Sequence, residues 1–158
     1  MIYLYTDGAA KGNPGPGGYG VLLKKGGLKK ELSSGYRKTT NNRMELLAVI
    51  IGLEALKKSG ERVLVVSDSK YVVDSVEKGW VLNWEKRGFK KKKNIDLWVR
   101  FLFVYRKHSV SFRWVKGHNN HPENERCDFL AVKAAEGSFL QIDNGFEDNN
   151  IEKDLFNQ

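Results

Sequence analysis

Cysteine is almost absent: Cys127 stands alone in 158 residues. A single thiol closes no internal disulfide, and without a C-x-x-C partner it builds no zinc site. Long apolar runs are absent too. The longest, Leu46 to Leu53, falls far short of the ~20 residues that a membrane-spanning helix requires. No basic segment followed by an apolar one opens the chain, so no export signal is expected. These absences fit a soluble protein of a reducing cytoplasm. Internal repeats are also missing.

What is present is positive charge on a core-sized chain. With 41% hydrophobic residues in 158, the chain suffices for one well-filled domain and is too short for two ordinary ones. The formal charge is +8, unevenly spread. From Gly137 onward, Asp143, Glu147, Asp148, Glu152 and Asp154 outweigh Lys153 to leave −4, so the rest of the chain carries +12. A body of that sign suits a polyanion, because each Lys or Arg that neutralises a phosphate releases condensed counterions. The expected division is one basic, folded domain over 1–137 and an acidic, disordered tail over 138–158.

Near the N-terminus the chain reads TDGAAKGNPGPGGYG. Gly15, Gly17 and Gly20 satisfy G-x-G-x-x-G, which binds a pyrophosphate when a helix N-terminus follows. Here Val21 to Lys25 is β-prone and closes at the Gly26-Gly27 turn, so the context is a hairpin. Asp7 then stands out, placed where the apolar strand Ile2 to Thr6 ends. Further strands are expected over Tyr19 to Leu23, Leu28 to Tyr36, Arg62 to Ser67 and Val110 to Val115. Apolar residues at helical spacing (Met44, Leu47, Ala48, Ile51, Ala55) predict a helix over Asn42 to Lys58. Shorter helices are expected over Ser69 to Glu77, Asp96 to Arg106 and Glu123 to Glu136. Three strands followed by alternating helices and strands predict an α/β fold with a mixed sheet and helices on both faces.

Right-handed crossovers make the Ile2 and Val63 strands parallel neighbours, which sets Asp7 beside Asp68 at C-terminal strand ends. Glu45 lies in the first turn of the long helix between them, and Asp128 in the first half of the last helix. Each has a plain alternative. Asn42-x-x-Glu45 fits a capping box, Asp68 could cap the helix after it, Asp7 could be a turn residue and Asp128 a solvated charge. Four such coincidences are less probable than any one, and close carboxylates repel unless a divalent cation joins them.

TDGAAKGNPGPGGYG, TTNNRMELLAVIIGLEAL, VVSDSKYV, GWVLNWEKRG, NIDLW and VKGHNNHPENERCDFLA occur in the order, and near the spacings, of bacterial type 1 ribonuclease H, which the chain resembles from Met1 to about Gly137. The resemblance implies a ribonuclease H-like, five-stranded mixed sheet whose second strand is antiparallel. It implies an endonuclease that cuts the RNA strand of RNA–DNA hybrids with two Mg2+ ions, Mn2+ being an alternative, and leaves 5′-phosphate and 3′-hydroxyl ends. By resemblance Asp7 bridges both metals, Glu45 and Asp68 complete one site and Asp128 the other, while His118 assists proton transfer or product release. Oxygen-only ligands suit Mg2+.

The same resemblance sets Asn13, Asn41, Asn42 and Arg43 along the minor groove or its phosphates, and Thr40 and Asn94 at a DNA-strand phosphate. Lys70 stands where relatives often carry a Gln that touches the groove. In the stretch from Trp80 to Lys93, Lys86, Arg87, Lys90, Lys91, Lys92 and Lys93 would track phosphates, Trp80 would face the DNA strand and Trp84 would be core. A monomer is expected. Two other readings share parts of this pattern. An integrase or transposase core has the metal logic but usually lacks the Asn42-Arg43 and His118 motifs, and a hybrid-binding module without activity would not retain all four carboxylates.

Overall fold

The computed structural model describes residues 1–117 and 119–149. Five strands, β1 (Ile2–Ala10), β2 (Gly15–Lys25), β3 (Leu28–Thr39), β4 (Arg62–Ser67) and β5 (Ser109–Trp114), form one mixed sheet in the order β3-β2-β1-β4-β5. β2 runs antiparallel to both its neighbours, and β1, β4 and β5 are parallel. The helices are α1 (Asn41–Glu54), α2 (Lys70–Glu77), α3 (Trp80–Lys86), α4 (Ile95–Tyr105) and α5 (Pro122–Ala135). The expected sheet, with its antiparallel second strand, is the one observed.

β4 is apolar along its length because both its faces are covered, and Val63 to Ser67 are all buried. α1 is buried on more than one face: Leu46, Val49 and Ile50 are as inaccessible as Met44, Leu47 and Ala48. It forms the centre of the main core together with Trp98, Phe101 and Leu102 of α4. α1 stops at Glu54, before the expected Lys58. There the Leu56 N–H turns back to Leu53 O at 3.2 Å and the Leu56 side chain packs inward against the core.

The glycine-rich stretch is a strand, and its glycines seat a helix. A Cβ at Gly20 would overlap the carbonyl oxygen of Cys127, and one at Gly35 would overlap that of Ala134, so α5 lies directly on the backbone of β2 and β3. β1 likewise continues past Asp7 to Ala10, paired with β2 through Ala10 and Gly17. Asp7 is therefore a strand residue and not the start of a loop.

The segment expected to be a disordered tail from 138 is structured through residue 149. Gln141 bridges Tyr36 at the free edge of β3, and residues 144–149 are helical. Arg37 grips Glu147 through two hydrogen bonds of 3.0 Å, and Asp143 is buried. Acidic residues here serve as partners for arginines of the body, which composition alone could not distinguish from solvated charge. No helix among the described residues is long and apolar enough to cross a membrane.

Candidate active site

The parallel register of β1 on β4 pairs Ile2 with Val63 and Tyr5 with Val66. Continued two residues further, it brings Asp7 level with Asp68, just beyond the end of β4. α1 supplies the third carboxylate. Gly8 lets the first turn of α1 lie against β1, since a Cβ there would overlap the backbone of Met44 and Glu45. Oxygens of Asp7, Glu45 and Asp68 consequently lie within 4.8 Å of one another.

The plain readings of two of these residues fail on local geometry. Thr40, not Asn42, caps α1, its Oγ1 accepting from the Arg43 N–H at 3.3 Å. Ser69, not Asp68, caps α2, its Oγ accepting from the Val72 N–H at 3.2 Å. Glu45 and Asp68 are thus released from capping. Asp7 does make a local bond, accepting from the Gly8 N–H at 2.9 Å.

Concentrated negative charge away from water has an electrostatic signature. Burial, followed by the charge of Asp68, pushes the Asp7 carboxyl up to about 7, with Asp128 adding to the rise. Burial and then the charges of Asp7 and Asp68 raise Glu45 well above the usual carboxylate range. Glu45 Oε2 is buried and makes no hydrogen bond. A buried acceptor without a donor, inside a group of all-oxygen ligands, fits a hard divalent cation. Asp128, half-buried on α5, acts on Asp7 through its charge but stands outside the 4.8 Å group. His118 lies outside the described residues.

The other expected site residues fall into three groups. Around α1, the exposed Asn41 donates its backbone N–H to Asn13 Oδ1 at 3.2 Å, and Asn42 is exposed beside it. Thr40 and Asn94 both touch Arg43, Asn94 through its Oδ1 at 3.4 Å. In the basic stretch, Lys86, Arg87, Lys90, Lys91, Lys92 and Lys93 are all exposed. Trp80 is 42% exposed, whereas Trp84 packs edge-on against Trp98. Phe89, buried and in the left-handed region at φ 57, anchors the loop, and Lys92 lies over the Trp84 ring at 5.0 Å. Lys70 is exposed at the start of α2, near Asp68.

Arg43 corrects the expectation of a groove contact. It is only 2% exposed. Its Nε and Nη2 donate to Asp143 at 2.8 and 2.9 Å, and its Nη1 and Nη2 to Asp96 at 2.9 and 2.7 Å. A guanidinium with both edges engaged by carboxylates inside the protein is not available to a ligand; it holds its neighbours instead. Thr39 Oγ1 also donates to Asp143, at 2.7 Å. Sequence reasoning overlooked Asp143, hidden in an acidic segment, and Asp96, which sits within the quoted NIDLW. It also overlooked Trp114, whose signal was an aromatic residue ending a strand two residues before Lys116-Gly117.

Comparison with known proteins agrees with this arrangement. The family model "RNase H" matches residues 1–136. A Ribonuclease H of Desulforamulus reducens is 55% identical over 147 residues, covering 90% of this chain and 92% of the relative. Among solved structures, LC9-RNase H1, described as a type 1 RNase H with the type 2 active-site motif, superposes with a TM-score of 0.77 at 35% identity, covering 87% of this chain and 73% of that one. LC11-RNase H1 in complex with RNA/DNA hybrid superposes with a TM-score of 0.65 at 28% identity, covering 86% of this chain and 97% of that one. With the sheet order, the three converging carboxylates and a match over nearly all of its structured body, the chain belongs to the RNase H family and is a ribonuclease H of the bacterial type 1 kind.

Proposed function

We propose that this chain hydrolyses the RNA strand of RNA–DNA hybrids with two Mg2+ ions, leaving 5′-phosphate and 3′-hydroxyl ends, as a monomer in the cytoplasm. The observation that carries the reading is the Asp7, Glu45 and Asp68 group with its buried, unpartnered Glu45 oxygen. The residues that would hold the ions are those three and Asp128. Bound there, divalent ions supply activation of the attacking water and neutralisation of charge on the leaving 3′ oxygen.

The protein's own groups bind and orient. Asp7, paired with Gly20 of β2 and two residues past the last β1–β4 pair, keeps its carboxylate between α1 and Asp68. Asn13, Asn41 and Asn42 offer short polar groups at the height of a shallow minor groove, where a 2′-hydroxyl can be both donor and acceptor. Thr40 and Asn94, steadied through Arg43, would hold a phosphate of the DNA strand. Trp80 and the lysines from 90 to 93 would follow that strand away from the centre, and Lys70 would place a cation beside the cut strand. His118 would assist proton transfer or product release.

The test is a labelled duplex with a short ribonucleotide window inside DNA, incubated with and without Mg2+. Cuts confined to the window, dependent on Mg2+ and carrying 5′-phosphates, are expected. Comparable cutting of plain DNA would move the protein to transposase-like chemistry.

A further inference from the structure

Trp114 ends β5 on the same edge of the sheet as the carboxylates, and it is 41% exposed although it is large and apolar. Its position is nevertheless fixed from two sides. The indole N–H donates to the main-chain oxygen of Asp68 at 3.0 Å. The face of the ring carries the Lys70 ammonium 4.8 Å from its centroid. Two residues of one turn, a carboxylate donor and a cation, are therefore tied to one side chain from another strand.

The end of β5 encloses Asp68 further. The Val115 N–H donates to Ser67 O at 3.0 Å. At Gly117 the chain passes so near that a Cβ would lie 2.7 Å from Asp68 Oδ2. Trp114 thus completes a bracket around the turn from β4 to α2. A carboxylate that must meet a metal benefits from this, because disorder in a ligand's backbone lowers affinity even when the ligand itself is intact.

Resting on the ribonuclease reading above, we propose that Trp114 is a positioning residue with two separable outputs: its N–H fixes Asp68 for the metal, and its ring fixes the Lys70 ammonium for a substrate phosphate. An ammonium stacked on an indole keeps its charge while losing freedom, so the cation is presented in one place and not swept over a sphere.

Three variants separate the outputs. Trp114→Phe keeps a ring and removes the N–H; Lys70→Gln removes the cation; Trp114→Leu removes both functions. Mg2+ binding to the free protein is measured by titration calorimetry, alongside hybrid binding against salt, kcat and KM, and thermal melting. Trp114→Phe is expected to weaken Mg2+ binding about three- to tenfold, the worth of one neutral hydrogen bond, and to lower kcat at subsaturating Mg2+ with KM for hybrid little changed. Lys70→Gln is expected to leave Mg2+ binding unchanged, raise KM and reduce the slope of log K against log salt by about 1. Trp114→Leu should show both effects.

Mg2+ binding by Trp114→Phe equal to wild type would overturn the proposal. So would equal losses in every measurement together with a fallen melting temperature, which would make Trp114 merely structural. A wild-type protein that binds Mg2+ yet leaves hybrids uncut would instead sink the functional reading, and the calorimetric comparison would still decide the role of Trp114 toward Asp68.

Discussion

Asp7 carries an electrostatic penalty that the folded protein accepts for the sake of its site. Asp7→Asn keeps the volume and removes one charge from the cluster, so hydrolysis should vanish while the melting temperature in metal-free buffer rises by about 2 °C or more. A lower melting temperature, or turnover near wild type, would contradict the site described. The same penalty sets a pH dependence. Its ordinary value is 3.8 and its folded value about 7, so between them the native state holds a proton that the unfolded chain has released. Metal-free stability should therefore fall as pH rises from about 4 to about 7 and level off above that for this group. Glu45, also raised by burial and by Asp7 and Asp68, acts in the same direction. Mg2+ must displace those protons, so its affinity should decline as pH drops through about 7. Urea titrations of wild type and Asp7→Asn across this range, with EDTA, would show the slope in the first and a flatter profile in the second.

Helix placement depends on backbone contact at a few glycines. Gly20→Ala would drive a methyl group into the carbonyl oxygen of Cys127, at an expected cost of about 2 kcal/mol. Because Cys127 adjoins Asp128, α5 would have to move the fourth carboxylate, and activity should fall more than stability explains. Gly27→Ala, where a Cβ meets nothing within 4 Å, is the matched control and should stay within about 0.5 kcal/mol of wild type. Equal stabilities for the two variants would refute the role given to Gly20. The basic stretch poses a different question for an element. Changing Lys90, Lys91, Lys92 and Lys93 to Ala should weaken binding to all hybrid sequences alike and flatten the salt dependence by up to ~3 units. A slope equal to wild type would leave these lysines as a solvated face.

Across the whole molecule, the C-terminal segment is tied to the core through one buried arginine. Arg43 is 3% exposed in its side chain and Asp143 9%. Burial alone would lower the Arg43 pKa, but its bonds to Asp96 and Asp143 hold it raised. Asp143→Asn should cost about 3 kcal/mol by leaving buried positive charge undercompensated. Asp96 remains as a second partner, so the loss should stop short of unfolding. Chemical denaturation would measure it, and a change below about 0.5 kcal/mol would mean that Asp96 alone suffices. Through the Arg43 guanidinium, which donates to Asn94 Oδ1 at 3.4 Å, the same variant loosens Asn94, so hybrid KM should rise at temperatures where the protein is fully folded.

The sequence by itself determined the order of elements apart from α3, which it left unassigned, the parallel pairing of β1 with β4 and the placing of Asp7 beside Asp68, while Glu45 joined them through the family resemblance. The first three follow from local pattern: a buried apolar strand, a helical period, and handed connections that leave few topologies. Tertiary structure alone decided what side chains do when two segments distant in the chain compete for them. Arg43 in the sequence is one of several cations near polar neighbours. Only the return of Asp143, which is 100 residues away, turns it inward. The hairpin context of the β2 glycines already argued against a phosphate loop, but only the fold shows that they seat α5. Asn42 and Asp68 looked like caps until Thr40 and Ser69 took those places, because a cap is selected by the backbone angles at a helix entrance and several polar residues in succession satisfy the composition rule equally well. Trp114 left almost no trace, since its meaning lies in a carbonyl oxygen and a lysine that β4 and α2 bring to it.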